Sequence, residues 1–566
     1  MGRVGRMEYG GPVLSRRSFL AAAAAAGAGL TMADLLAACG GGGGAATKGG
    51  SNTLSQLAGV LPDYVPVSYV KPDFPAVQGP AGVFSPPAYL KWPAQQVRAL
   101  SGTVSSGSVT AMTPAFWPIP PQPNAYFDAV NKRLGANVTF QIVDGNDYGT
   151  KVSAQLAGKQ IPDLYVIPTW NYPPGMLEAV TSLFADVTDH LKGSNINKWK
   201  FLANLPTGAW QYGAFNNRLY GIPFPNGLYG VAPFYRKDIF DKLGVAPPKT
   251  SDELLKLGRT ITNPKANQWA FGDIWLEVSR MFAVPQDFVM DSGGKLTYYV
   301  ETPQFESAVA FAAQLYKEQL IHPTIVAGDT TQAKTLFESG RMLVYTDGVG
   351  AWHEALERNR PNNPSFNMQA WTLFSHDGKS TPFQSLGTPG GIYTFINKNL
   401  PASRIDELLS ICNWCAATIG TQEYTLRLYG VEGVHWTAGA GGVPQPTTQG
   451  TTEVTYTYGF VTGVPDAISE PLYPDYVRDS YHWQADSVKF AVKSPLYGLN
   501  VQEPADISGF KPQGPNAQNG TALDNKVTDI LHGRAPVSDL KPAVQSWLAS
   551  GGNQYKQYYE SILSKK

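Results

Sequence analysis

Apolar residues recur along this chain in two rhythms. Val138, Phe140 and Ile142 alternate with Thr139 and Gln141, the period of a strand with one face buried. Asn124 to Leu134 is apolar at Phe127, Val130 and Leu134 behind a capping asparagine, the period of a helix. Thr103 to Met112 predicts a strand before that helix. Tyr148 to Leu156 predicts a second helix, and Leu164 to Ile167 a short buried strand. Strand, helix, strand, helix, strand is the signature of a parallel α/β sheet. A second α/β region follows, with helices over Asp252–Thr260, Phe305–Glu318 and Gln332–Glu338 and strands over Arg341–Tyr345 and Gly391–Ile396. From Ser538 onward the pattern is helical through Trp547 and Tyr559.

The N-terminus has a different pattern. Ser15-Arg16-Arg17-Ser18-Phe19-Leu20 has the form of a twin-arginine export signal, with Arg16 and Arg17 as its pair. An alanine-rich apolar stretch runs from Phe19 to Leu36. Leu36-Ala37-Ala38-Cys39 then has the form of a lipoprotein cleavage box, with Cys39 in the position that takes the lipid. A transmembrane helix is the rival reading of that stretch, which is about long enough to span a bilayer. Asp34 inside it, and glycines rather than basic residues after it, favour the signal. Residues 40–50 are nearly all Gly, Ala, Thr and Lys and predict a flexible tether. Residues 51–100 carry Pro62, Pro66, Pro72, Pro75, Pro80, Pro86, Pro87 and Pro93, and predict an extended lead-in draped over a domain.

Composition narrows the function classes. Lysine plus arginine and aspartate plus glutamate both number 44; without residues 1–38 the balance is 40 to 42, a net charge of −2. Such a balance gives no electrostatic case for nucleic acid. With 7 histidines in 566 residues no metal cluster is expected, and no cofactor motif appears. Besides Cys39 the cysteines are Cys412 and Cys415, in an apolar helical segment without the strand or further ligands that redox or zinc chemistry needs. They read as two buried cysteines, which an oxidising exterior would allow to bridge. Aromatics make up 12% of the chain, with 13 Trp and 28 Tyr, which suits either an irregular core or surfaces that stack on sugar rings.

Several phrases, in order, resemble the extracellular solute-binding proteins of ABC importers, of the large family 1 type that includes lipoprotein and alginate-binding members. They are Ile161-Pro162-Asp163-Leu164, Leu183 to Thr188, Asn216 to Pro223, Tyr235 to Asp238, Leu243-Gly244, Pro248 to Thr250, Phe337 to Met342 and Gly430 to His435. The resemblance implies a periplasmic-binding-protein-like (type II) fold, with two α/β lobes joined by a hinge and a ligand cleft between them. The organisation it implies is a signal over 1–39, a tether over 40–50, lobe one over 51–228 plus 389–566 including a C-terminal helical region, and lobe two over 229–388. Crossings are expected near Pro223 to Pro233 and Gly387 to Gly391, where Gly and Pro are dense. Implied partners are a small-molecule ligand, a membrane permease and the lipid anchor, with the chain itself monomeric and not an enzyme.

Ligands of open α/β sheets sit beyond the carboxyl ends of strands. That rule selects Trp170 and Asn171 after the strand at Leu164, and Asp347 and Trp352 after the strand at Arg341, the tryptophans as stacking platforms and the polar pair for hydroxyls. Trp117, Tyr229, Trp275, Glu432 and Trp436 form a second tier. Few basic residues accompany these loops, which favours a neutral oligosaccharide. One rival is a secreted glycoside hydrolase, for which Glu432 and Asp347 could be cast as the carboxylates, although nothing fixes their spacing. Others are a surface adhesion lipoprotein, for which repeats are missing, and the same fold with a peptide or other non-sugar ligand.

Overall fold

The computed structural model describes residues 50–100, 107–386, 390–517 and 520–564. The export signal with Arg16 and Arg17, the lipidation residue Cys39 and nearly all of the tether lie outside them. In chain order the main strands are β1 (Gly107–Ala115), β2 (Ala136–Asp144), β3 (Leu164–Pro168), β4 (Ile222–Pro225), β5 (Val231–Arg236), β6 (Trp269–Phe271), β7 (Met342–Gly348), β8 (Met368–Ala370) and β9 (Gly390–Ile396). The helices that matter below are α1 (Ala125–Leu134), α2 (Gly145–Ala157), α3 (Pro303–Lys317), α4 (Ala351–Asn359), α5 (Ala402–Cys415), α6 (Gln422–Tyr429), α7 (Pro474–Ser487) and α8 (Ala522–Leu531).

Sheet one has the order β2-β1-β3-β9-β4. Its first three strands are parallel, as the alternating pattern predicts, whereas β9 runs antiparallel to both β3 and β4. The period of two sorts its side chains onto two faces. Leu164 and Val166 join one core with Ile392, Ile396 and the α1 and α5 side chains. Tyr165 and Ile167 join another with Tyr393, Phe395, Tyr148 and Val152. A sheet covered on both faces needs strands that are apolar throughout, and every residue of β3 and β9 is buried. The α1 cap is made as predicted, with Asn124 accepting from the Phe127 N–H at 3.0 Å. Asn216 and Asn217 both take positive φ, 48° and 58°, in the tight turn between Ala214–Phe215 and Arg218–Leu219.

Sheet two has the order β8-β5-β7-β6 and builds a separate core with α3 and α4. The chain crosses between the sheets after β4, through residues 226–230, and crosses again before β9. A third crossing, at 463–467, was not foreseen from the sequence. Beyond it α7, α8 and the helices Leu540–Trp547 and Asn553–Leu563 bury Val477, Val527, Trp547 and Tyr559 in the second core. The C-terminal helical region therefore packs with lobe two, a correction to its expected place in lobe one. The physical reason is the apolar surface of α3 and the hairpin Phe288–Met290/Leu296–Tyr298, which those helices cover. Among the described residues no helix is long and apolar enough to cross a membrane.

The proline-rich lead-in is extended and touches the body through isolated bridges such as Ala88 to Ile468 and Val97 to Thr421. Its end is clamped by Glu423, whose carboxylate is fully buried and accepts from the Ala99 and Leu100 N–H groups at 3.1 and 3.2 Å and from Arg133 at 3.0 Å. Cys412 and Cys415 are free thiols in α5 with no exposed surface. Burial pushes the Cys412 thiol up to about 12 and Cys415 higher still.

Glu423→Ala should cost about 3 kcal/mol, because it strands Arg133 and two backbone donors. Denaturant unfolding will measure that loss, and limited proteolysis should then cut between Pro62 and Leu100. A thiol-reactive probe read by mass spectrometry should label Cys412 and Cys415 only after unfolding, since thiolate and access are both denied in the native state.

Candidate functional site

The carboxyl edge of sheet one places side chains by strand geometry. β1 and β3 are parallel neighbours, with Met112 opposite Tyr165, so the segments that follow them emerge side by side. After β1 come Phe116 and Trp117. Phe116 is 56% exposed, and its ring covers Gly145, where an added Cβ would lie 2.2 Å from the ring. Trp117 stacks on Phe460 with centroids 5.5 Å apart and planes at 9°, while its indole N–H donates to Thr455 Oγ1 at 2.8 Å. After β3 the turn Thr169–Asn171 leaves Trp170 60% exposed. Asn171 beside it lies against Gly149, where an added Cβ would be 2.8 Å from its Nδ2, and its Oδ1 is buried without a hydrogen-bond partner. One edge thus presents an open indole, an open phenyl ring and a half-buried indole beside an amide oxygen with unused accepting capacity.

The corresponding edge of sheet two is polar. Asp347, near the end of β7, accepts from the Tyr345 hydroxyl and from the Gly348 N–H at 2.8 Å, with Lys334 Nζ 3.9 Å away. Burial, then the Asp347 charge, pushes the Tyr345 hydroxyl well above the usual phenol range, so it stays a donor. Trp275 opens the helix Trp275–Met281 and packs edge-on to Phe305 at 5.8 Å, half-buried. Its backbone N–H donates to Asp273 Oδ1 at 3.0 Å.

Trp352 does not reach this surface. It is 1% exposed and packs edge to face with Phe234 at 5.6 Å and Tyr476 at 5.5 Å, so its predicted place as a platform is corrected to the lobe-two core. Helical rotation is the reason: as the second residue of α4 it turns toward sheet two, and α7 closes over it. Tyr229 is also buried, donating to the Ser487 carbonyl at 2.7 Å against Trp483. Trp436 is 7% exposed and donates to the Gly430 carbonyl at 3.1 Å. Glu432 is exposed in the turn before it. That turn is a structural device, in which Gly430 and Gly433 take positive φ and buried His435 accepts from the Val431 N–H at 3.0 Å.

Other parts of the site are not signalled by spacing. Tyr456 and Phe460 complete the aromatic patch with Phe224, at centroid separations of 5.5 to 6.3 Å. Asp466, on the third crossing, accepts from the Ala467 and Leu228 N–H groups. The density of aromatics in Tyr456-Thr457-Tyr458-Gly459-Phe460 is the one signal that could have drawn attention to this segment. Among the described residues no group of three or more His, Cys, Asp or Glu is arranged to hold a metal ion.

Comparison with known proteins fits this architecture. A family model described as bacterial extracellular solute-binding protein matches residues 119–396. The polygalacturonan/rhamnogalacturonan-binding protein YtcQ of Bacillus subtilis is 22% identical over 440 residues, covering 73% of this chain and 83% of its own. Among solved structures, an HMO-binding, ABC-transporter-associated solute-binding protein from Bifidobacterium longum infantis superposes with a TM-score of 0.59 at 13% identity, over 81% of this chain and 98% of its own. FusA of S. pneumoniae, solved in complex with kestose, does so at 0.54 and 16% identity, over 81% and 99%. With its family match, its ordered phrases and its two α/β lobes of the type II periplasmic-binding-protein kind, this chain belongs to the bacterial extracellular solute-binding proteins.

Proposed function

We propose that this chain captures an oligosaccharide between its lobes and delivers it to the membrane permease of an ABC importer. The observation that carries the ligand class is Trp170, an indole left 60% exposed at the end of a strand with no exposed residue. Exposing so large an apolar surface forgoes about 1.5–3 kcal/mol of burial, which suits a surface that a ligand covers. The C–H face of a sugar ring is such a cover. Phe116 and Trp117 extend the same face, and Asn171 and Asp347 supply hydrogen-bonding groups from the two lobes. Trp275 and Glu432 are left as peripheral candidates, whereas Trp352, Tyr229 and Trp436 serve packing. The names of YtcQ and of the structural neighbours, all binders of oligo- or polysaccharides, support the same reading. Reversible binding without turnover is its signature, and hydrolysis of a bound oligosaccharide would replace it with the glycosidase reading.

The same proposal places the mature chain on the outer face of the cell membrane as a monomer, exported by the twin-arginine route and held by a lipid on Cys39. The motifs around Arg16, Arg17 and Cys39 support it, as does membership of an extracellular family. Replacing Cys39 with serine should move the protein from the membrane to the soluble fraction. Replacing Arg16 and Arg17 together with lysine should retain it in the cytoplasm. Fractionation and immunoblotting distinguish the two outcomes, and a serine variant that stays membrane-bound would rule out the anchor.

A thermal-shift screen over neutral oligosaccharides, oligogalacturonides and peptides tests the ligand class. A true ligand at 100 times its Kd should stabilise the fold by about 2.7 kcal/mol. Trp170→Ala should then weaken that ligand about tenfold, or about 1.4 kcal/mol, with the melting point unchanged. Trp352→Ala should do the reverse, losing about 3–5 kcal/mol of stability while the affinity of the folded protein holds.

A further inference from the structure

The proline-rich lead-in does not stay on one lobe. Its first part packs on the lobe-one core through Leu57, Val60, Leu61, Val67 and Tyr69. There the Val65 N–H donates to the Ala203 carbonyl and the Val67 N–H to Asn204 Oδ1, each at 2.8 Å. Val70 then lies against Gly420, where an added Cβ would be 2.5 Å from Val70 Cγ2. Its middle part packs on the lobe-two core, with Ala88 inside that core and Phe74, Val77 and Leu90 against it. Phe74 stacks on Tyr481 of α7 at 4.8 Å, and the Tyr481 hydroxyl donates to the Pro75 carbonyl at 2.9 Å. The Tyr89 N–H donates to the Ile468 carbonyl and the Ile468 N–H to the Pro87 carbonyl, each at 2.9 Å. Its last part is back on lobe one. Trp92 meets Tyr429 of α6 edge to face at 5.1 Å, and Val97 exchanges hydrogen bonds with Gly420 and Gln422 at 3.0 Å. Besides the three crossings of the body, the lead-in thus passes between the lobes twice.

Both passes are short. Outward, only Lys71, Pro72 and Asp73 separate Val70 on lobe one from Phe74 on lobe two, a stretch of at most about 14 Å when fully extended. On the return only Lys91 separates Leu90 from Trp92, a reach of about 7 Å. The two limbs are also tied to each other at this neck. The Leu90 N–H donates to Asp73 Oδ2 at 2.8 Å, and Phe74 and Ala88 exchange backbone hydrogen bonds at 3.1 and 2.9 Å. Pro72 and Pro75 fix φ at the outward limb, which leaves it few conformations to pay out as length. One lobe can therefore rotate against the other only as far as these spans allow, unless Phe74 leaves Tyr481 or Trp92 leaves Tyr429.

We propose that the lead-in is a strap across the two lobes that limits how far they separate when no ligand is bound. The buried clamp at Glu423 holds one end of it, and the Tyr481 and Ile468 contacts hold its middle. Lobes kept near one another before a ligand arrives have less motion to lose when it binds, and pre-organisation of that kind raises affinity without adding a contact to the ligand. The strap takes only the two-lobed fold as given and is independent of which ligand is bound.

Pulsed electron-spin distance measurement on the ligand-free full chain, with Cys39 replaced by serine for solubility, tests the strap without any sugar. Spin labels go on Lys132→Cys in α1 and Lys242→Cys in the helix Lys237–Leu243, one exposed position on each lobe. Cys412 and Cys415 are buried and take no label. Inserting Gly-Ser-Gly-Ser after Lys71 and again after Lys91 lengthens both passes and removes no side chain that makes a contact. The distribution of distances between the lobes should then broaden. The same added length after Gly82, at the exposed turn Pro80–Gly82 of the lobe-two part, lies outside the passes and should leave the distribution unchanged. A lengthened strap with an unchanged distribution overturns the proposal, and so does a Gly82 insertion that broadens it as much. Thermal melting by circular dichroism will establish that each variant is folded. A failed oligosaccharide screen would leave this distance result standing, and an unchanged distribution would leave the ligand class standing.

Discussion

Everything in this molecule depends on how three crossings pass one another between two independent cores. At the first, an added Cβ on Gly227 would lie 2.7 Å from Asp466 Oδ2 on the third. At the second, an added Cβ on Gly391 would lie 2.5 Å from Asn226 Nδ2 on the first. Side chains at those two glycines would wedge the crossings apart. Asp466 adds hydrogen bonds from the Leu228 and Ala467 N–H groups, so the first and third crossings are tied as well as packed. A two-lobed binding protein needs such a joint, compact enough to hold the lobes in register and short enough to let them rotate.

The cores on either side are built by different means. Sheet one is buried on both faces, and period-two alternation sends Leu164 and Val166 one way and Tyr165 and Ile167 the other. Its strand ends are consequently the places where the chain can return to solvent, and Phe116, Trp117 and Trp170 stand there. Sheet two is smaller and borrows cover from the C-terminal helices, whose Trp547, Tyr555 and Tyr559 pack with Phe288 and Tyr298 of the hairpin. Much of the chain's aromatic content is used for that packing and for the lobe-one core. Aromatic content therefore points to the ligand only through the few rings that remain exposed.

Trp170 and Trp352 come to opposite surroundings, one exposed and one buried. Both follow a strand of an α/β sheet, and the rule of strand ends selects both. After β3 comes a single 3₁₀ turn, which leaves Trp170 outside the packed layers. After β7 comes a helix, whose rotation and whose neighbour α7 decide that Trp352 points inward. The same limit applies to Trp92 and Tyr429, which lie far apart in the chain and meet edge to face only in the folded protein.

The sequence by itself determined the elements and their class. Alternation predicted the strands of sheet one, the Asn124 cap was met to the residue, and the Asn216-Asn217 turn was legible because few side chains tolerate the left-handed conformation. Those are local effects, set by neighbours within a few residues. The tertiary structure decided the antiparallel insertion of β9, the third crossing, the allegiance of the C-terminal helices to lobe two, and which tryptophans face solvent. Those depend on packing between segments hundreds of residues apart, where the outcome is set by which apolar surfaces are left for one another to cover. A pattern of period two or 3.6 shows that a face will be buried; only the assembled fold shows against what.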